Sequence, residues 1–150
     1  MIIPATRYRD PEAALAFLTQ TLGFVEHAVF RDEFGALIHA QLTASVDGPQ
    51  SGMVMIGPEG DAAEPNEFDA FMIHPSETGG RETVSIYAVV PDVASRYARA
   101  VAASLEVLIA LRSEPYGGLS FTIRDPEGHI WTFSQTVEAM TPEAWDKKTG

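Results

Sequence analysis

Phe121-Thr122-Ile123-Arg124-Asp125-Pro126-Glu127-Gly128-His129-Ile130-Trp131-Thr132-Phe133-Ser134-Gln135 reads as two strands around a tight turn. Phe121 and Ile123 alternate with Thr122 and Arg124, and bulky and small residues alternate again over 130–134. Asp-Pro-Glu-Gly has the chemistry of a type I turn. Asp opens it through a side-chain bond to the backbone, Pro presets φ, and Gly takes the left-handed position beyond. Trp131 and Phe133 load one strand face with apolar bulk, while Thr132 and Ser134 keep the other small and polar. Successive side chains alternate faces, so such a strand separates two environments. A packed core is expected on one side and a cavity on the other.

Working outward, the chain shows the same pattern twice. In the first half, 2–8 reads as a strand, with Pro4 marking its edge or start. Asp10 is placed to cap a helix over 11–22, with Pro11 in its first position, Glu12 in its first turn and Gly23 ending it. Ala14, Phe17, Leu18 and Leu22 share one helical face. Strands follow at 24–31 and 36–43, the latter with Leu37, His39 and Gln41 on one side and Ile38, Ala40 and Leu42 on the other. A loop at 45–51 leads to a strand at 53–56. In the second half, 83–90 is a strand and Asp92 again stands as a helix cap. Val93, Tyr97, Ala100, Val101 and Ser104 mark the helical face, 107–111 is a strand, and 115–118 is a turn leading into the hairpin. Asp10 and Asp92 are matching landmarks of two βαβββ half-repeats.

The expected organisation is a first module at 1–57, an acidic linker at 58–82, a second module at 83–137 and a tail at 138–150. The tail holds a short helix capped by Thr141, opened by Pro142 and anchored by Trp145. The linker carries Glu59, Asp61, Glu64, Glu67 and Asp69, then Phe68, Phe71, Met72, Ile73 and His74. It is either a solvated connection or, because it is richer in apolar residues than a solvated linker needs, a lid or subunit contact. A βαβββ unit covers only one sheet face with its helix, so the other face must be covered or line a cavity. The fold class is α+β, two half-repeats forming a curved mixed sheet around a cavity, with the helices outside.

Composition narrows the function. The 150 residues suit one domain or two halves sharing a core. No apolar run approaches a membrane span, and no basic-then-apolar signal segment opens the chain. The absence of cysteine removes disulfides, thiolate catalysis and Cys zinc sites, and fits a cytoplasmic protein. A net charge of −11 disfavours nucleic acid; it either serves solubility alone or also attracts a cationic ligand. No Gly-x-Ser-x-Gly elbow, phosphate loop or dinucleotide fingerprint occurs.

Arg124-Asp125-Pro126-Glu127-Gly128-His129-Ile130-Trp131 before a final strand resembles the closing hairpin of the vicinal oxygen chelate superfamily. Arg7-Tyr8-Arg9-Asp10-Pro11-Glu12-Ala13-Ala14, followed by Phe17 and Leu22-Gly23-Phe24, resembles its first strand and helix. The superfamily holds glyoxalase I, extradiol dioxygenases, fosfomycin-resistance enzymes and bleomycin-binding proteins. The resemblance spans residues 2–135 and implies a homodimer, since many members complete the hollow by pairing two chains. It also implies His, Gln or Glu metal ligands on the first and last strand of each half. Those positions fall here at Ile3, Ser85, Thr132 and within Met53-Val54-Met55-Ile56, none of which carries an imidazole or carboxylate. Oxygen and nitrogen ligands must approach to about 2.0–2.2 Å, so no metal and no other cofactor is expected.

The four histidines rebuild no site. His27 and His39 lie on adjacent strands, His129 is expected to bond the turn backbone, and His74 reaches the hollow only if the linker folds over. If the metal-equivalent positions point inward, so do their second neighbours. The expected ligand-binding set is then Ile3, Ala5 and Arg7, Met53 or Met55, Ser85 and Tyr87 (with Val89), and Ile130, Thr132 and Ser134. Met, Ile, Tyr and small hydroxyls with one Arg either compose a pocket for an organic small molecule or fill the space themselves. Arg7 is its strongest anchor, suited to a carboxylate or phosphate, or else pairs within the chain. Two functions remain open. One is a binding protein of the bleomycin-resistance kind, sequestering an antibiotic-like ligand in a dimer crevice. The other is a lyase, isomerase or dioxygenase whose metal or acid–base site lies elsewhere.

Overall fold

The structure is a computed structural model and describes residues 1–115 and 117–136. The helix expected around Thr141, Pro142 and Trp145 lies outside the described residues, as does Tyr116 of the expected turn.

The first half runs β1 (Ala5–Tyr8), α1 (Pro11–Gln20), β2 (Val25–Arg31), β3 (Leu37–Thr43) and β4 (Met53–Pro58). The second repeats it as β5 (Ile86–Val89), α2 (Val93–Ala102), β6 (Val107–Ser113), β7 (Gly118–Arg124) and β8 (Ile130–Thr136). The class is α+β, and the curved wall is built as two mixed four-stranded sheets, ordered β1-β4-β3-β2 and β5-β8-β7-β6. In each, the first and last strands of the half pair in parallel and the remaining pairs are antiparallel.

Local chemistry explains the helix start. The Asp10 carboxylate accepts the Ala13 N–H at 2.9 Å, and Pro11 follows where no donor is missed. Asp92 occupies the equivalent position but caps no N–H with its side chain. Arg96, one turn on, takes its carboxylate at 2.6 Å instead. This also changes the inward face of α2: Val93, Arg96 and Ala100 are buried, whereas Val101 and Ser104, expected inside, are exposed. Buried Arg96 has its charge met by Asp92 and donates to Leu22 O at 2.7 Å and Ala44 O at 2.8 Å. It thereby ties the second helix to the first half.

Three strand expectations are corrected. β1 and β5 begin at Ala5 and Ile86, so Ile3 and Ser85 fall just outside them. Pro4 has no N–H to pair, and Ser85 stands one residue before the first pair of β5 with β8, Ile86 with Trp131. Phe24 precedes β2 and enters the core. Leu37 is buried and Ile38 is 50% exposed, the reverse of the expected alternation. Phe30 pairs with His39 and Arg31 with Leu37, so Ile38 is the extra residue of a bulge and parity breaks there.

One core serves both halves. Leu18, Leu22, Leu42 and Ile56 from the first pack with Phe121, Ile123, Trp131 and Phe133 from the second. Each such buried aliphatic or Phe side chain contributes about 1.5–3 kcal/mol. Phe24 makes the junction, edge-on to Trp131 at 5.4 Å and to Phe133 at 6.0 Å between ring centroids.

The hairpin tip is the tightest polar node. Asp125 Oδ1 accepts the N–H groups of Glu127, Gly128 and His129 at 3.0, 2.9 and 3.0 Å. Oδ2 accepts the Tyr8 hydroxyl at 2.7 Å and the Trp131 indole N–H at 3.1 Å. Burial and the neighbouring Asp125 carboxylate hold the Tyr8 phenol well above its ordinary pKa. Gly128 takes φ 104°, a region L side chains avoid. The expected turn chemistry is therefore present, with an added reach across to β1.

Candidate functional site

Helices cover one face of each sheet, so the other faces are where a site can form. Strand parity sorts them. On β1, Thr6 and Tyr8 are buried, while Ala5 and Arg7 point the other way. Ala5 pairs with Met55 and Arg7 with Gly57, and Met55 with Gln41 and Met53 with Thr43. The open face of the first sheet is thus Ala5, Arg7, Met53, Met55 and Gln41. On the second sheet Ala88, Trp131 and Phe133 are buried against the helix. Tyr87 pairs with Thr132, Val89 with Ser134, and Thr132 with Thr122, setting those side chains on the open face. The Thr122 and Thr132 hydroxyls bond each other at 2.8 Å.

Within one chain these residues divide among separate cavities. Ala5 and Ile130 line a cavity of about 440 Å³ under linker residues Phe71, Met72 and Ile73. Ser85, Ile130 and Thr132 line another of about 440 Å³ with Thr122 and Ile109. Met53 and Tyr87 line a third of about 450 Å³ with Val89. Arg7 lines a small one of about 20 Å³ with Phe68, His74 and His129. Ile3, Met55 and Ser134 line none of these four, and Ser134 is fully buried. Both open faces retain apolar side chains in solvent: Tyr87 is 54% exposed, Val89 58% and Phe30 49%.

The linker is more structured than its composition suggests. His74 is buried, and its Nδ1 accepts the Ser76 N–H at 3.1 Å. The ring proton then sits on Nε2 and is donated to Glu127 Oε1 at 2.8 Å. Glu127 also accepts the N–H groups of Arg9 at 2.7 Å and Asp10 at 3.0 Å. Burial alone would raise the Glu127 pKa, but the bonds from His74 and these backbone groups outweigh it and hold it below the ordinary value. One carboxylate thus pins the linker, the hairpin tip and the start of α1 together. Phe68 lies over the Arg7 guanidinium, 3.8 Å from Cζ to the ring centroid. Sequence reading missed this contact, and the one signal for it was the apolar content of the linker.

The remaining histidines are accounted for. His129 Nε2 donates to Arg7 O, 2.9 Å away, and its ring meets Tyr8 edge-on at 4.7 Å. It bonds the first strand rather than the turn backbone. His27 falls in a bulge of β2, so His39 pairs with Phe30 and lies 3.3 Å from the Gln41 amide. Among the described residues no group of three or more His, Asp or Glu side chains stands ready for a metal ion. The wall positions Ile3, Met53, Met55, Ser85 and Thr132 do not fit a divalent metal, whose ligands are imidazole nitrogens and carboxylate oxygens.

Comparison with known proteins agrees with this architecture. A family model described as Glyoxalase/Bleomycin resistance protein/Dioxygenase superfamily matches residues 4–133. The uncharacterized protein Mb0911c of Mycobacterium bovis is 28% identical over 131 residues, covering 87% of this chain and 80% of its own. The crystal structure of TioX from Micromonospora sp. ML1 is similar at a TM-score of 0.66 and 26% identity, covering 94% of this chain and 99% of that one. The fosfomycin resistance protein FosX from Listeria monocytogenes, crystallised with Mn(II) and sulfate, shares the fold. Its TM-score is 0.59 at 13% identity, over 100% of this chain and 97% of that one.

Proposed function

The chain belongs to the glyoxalase/bleomycin resistance protein/dioxygenase superfamily, and from that membership we propose that it binds a small organic molecule, without a metal, in a crevice completed by a second copy of the chain. It sequesters its ligand as the bleomycin-resistance branch does, rather than converting it. The observation that carries this reading is the character of the two open sheet faces. They offer Met53, Met55, Tyr87 and Val89 with the Thr122–Thr132 hydroxyl pair, and they lie partly in solvent within one chain. Apolar lining with a few directing polar groups is the composition of organic-ligand pockets. Exposed apolar faces of this kind are also suited to burial against a partner. The net charge of −11 favours a ligand with positive charge on its outer part.

Isothermal titration calorimetry against cationic glycopeptides and aromatic amines, at low and high salt, tests the binding. Saturable heat that weakens with salt is expected, with sedimentation equilibrium reporting a dimer. A stoichiometric divalent ion in protein purified without chelator would overturn the metal-free reading. Turnover of a methylglyoxal–glutathione adduct or a catechol would overturn sequestration.

A further inference from the structure

We infer that the ligand of this crevice carries a carboxylate-class oxyanion, and that the Arg7 guanidinium grips it edge-on. This rests on the binding reading above and adds the chemistry of one end of the ligand.

Arg7 is half-buried on the open face of the first sheet. Its guanidinium reaches Gly57, where a built Cβ would stand 2.5 Å from Nη1 and 3.5 Å from Cζ. The Phe68 ring lies over the guanidinium, 3.8 Å from Cζ to the ring centroid. The ring takes a planar face and leaves the N–H edge without an acceptor among the described side chains. That edge is the part of a guanidinium that matches a carboxylate with two parallel hydrogen bonds.

Nothing among the described residues fills that role. Arg9, Arg31, Arg96, Arg99, Arg112 and Arg124 each meet a carboxylate. Arg7 has no ion pair or side-chain hydrogen bond among the described residues, its contact with Phe68 being the interaction found. Arg81 is also without an ion pair there, but it is exposed and water serves it. Two carboxylates line the small cavity beside Arg7, and both are engaged elsewhere. Glu59 takes Arg9 at 3.2 Å, and Asp69 takes the N–H groups of Gly60 and Asn66 at 3.2 and 2.8 Å. A chain with 21 acidic residues that leaves a half-buried Arg unpaired has kept that charge for another molecule. Ala5 and Met55 continue the same face, giving an apolar floor for the body behind the anion.

The long-range field of this acidic protein favours cations, but at contact distance Arg7 dominates, because fields beyond about 8–10 Å are screened at ordinary salt. The ligand is therefore an apolar acid or a zwitterion held by its acidic end.

Calorimetry with three probes sharing one ring separates these charges: 2-naphthoate, 2-naphthamide and 2-naphthylmethylammonium. Wild type is expected to bind the carboxylate about tenfold tighter than the amide, the worth of a hydrogen bond to a charged group. Arg7→Gln should erase that preference. Gly57→Ala keeps the charge but pushes the guanidinium off its seat, and should reduce the preference in part. Far-UV circular dichroism confirms that each variant is folded, and Arg7→Lys, which keeps charge without the fork, should retain an intermediate preference. An ammonium or amide that binds best, or a carboxylate preference indifferent to Arg7→Gln, overturns the inference. If all three bind alike, the anchor falls and the binding reading stands; if none binds, both fall.

Discussion

Asp125→Asn changes one atom and should cost about 3 kcal/mol of stability. The carboxylate accepts five hydrogen bonds at 4% exposure. In the variant the amide oxygen keeps the three turn N–H groups, but as a neutral acceptor. Bonds to a charged group are worth about 1.5–3 kcal/mol and neutral ones about 0.5–1.5. The amide nitrogen replaces Oδ2. The Tyr8 hydroxyl can rotate and accept from it, but the Trp131 N–H faces another donor. Trp131 is fully buried, and an unsatisfied buried donor costs about 1–3 kcal/mol. Relief from burying a charge offsets part of the sum, leaving about 3 kcal/mol net. A domain of this size has about 5–15 kcal/mol in total, and its Tm should drop by about 6–12 °C at about 2–4 °C per kcal/mol. Urea unfolding followed by far-UV circular dichroism, with an unchanged m-value, measures the loss. A loss under about 1 kcal/mol would refute the view that this carboxylate organises the hairpin.

Tyr8 has its folded pKa above the unfolded one, so the unfolded chain releases that proton first as pH rises. Its contribution is full below about pH 10 and falls above it; urea midpoints between pH 8 and 11 should show a flatter alkaline limb in Tyr8→Phe than in wild type. Glu127 has the opposite sign, with a folded pKa below 4.5. Its contribution is present above that value and lost as pH falls through the lowered folded pKa, so Glu127→Gln should show a shallower loss of stability between pH 5 and 3, read by circular dichroism. Gly128→Ala meets a φ of 104° and a Pro75 Cβ at 2.9 Å from the new carbon; it should cost about 1–3 kcal/mol and speed hydrogen exchange in the linker segment at Pro75–Glu77. Arg96→Met should cost about 2–6 kcal/mol in urea unfolding, since it leaves the buried carbonyls of Leu22 and Ala44 without their donor, at about 1–3 kcal/mol each.

Legibility in this sequence followed distance along the chain. Asp125 and Gly128 were readable because the turn bonds they make are local. Asp10 was readable as a cap for the same reason, and the identical signature at Asp92 misled because Arg96 competes for the carboxylate. The bulge at Ile38 depends on how β2 meets β3, so no pattern within β3 announces it. His129 bonds Arg7 O from the far end of the chain, and Phe68 reaches Arg7 from the linker. Parity gave the faces of Ala5, Arg7, Thr132 and Tyr87 but not their distances apart. That is why the lining set, drawn as one hollow, occupies several cavities within a single chain.

The hairpin that seals the core also decides which side chains reach the open face. Trp131 and Phe133 are fully buried, so strand parity turns Thr132 to the opposite side, opposite Thr122 and Tyr87. A one-residue slip of β8 would bury Thr132 and expose two large aromatic rings. At about 1.5–3 kcal/mol or more for each ring, that slip is forbidden by the core rather than by any ligand contact. The wall can therefore vary at Thr132, Thr122 or Met55 while the frame holds its register. Under the binding proposal, ligand preference is then free to change on a scaffold whose geometry is fixed from behind.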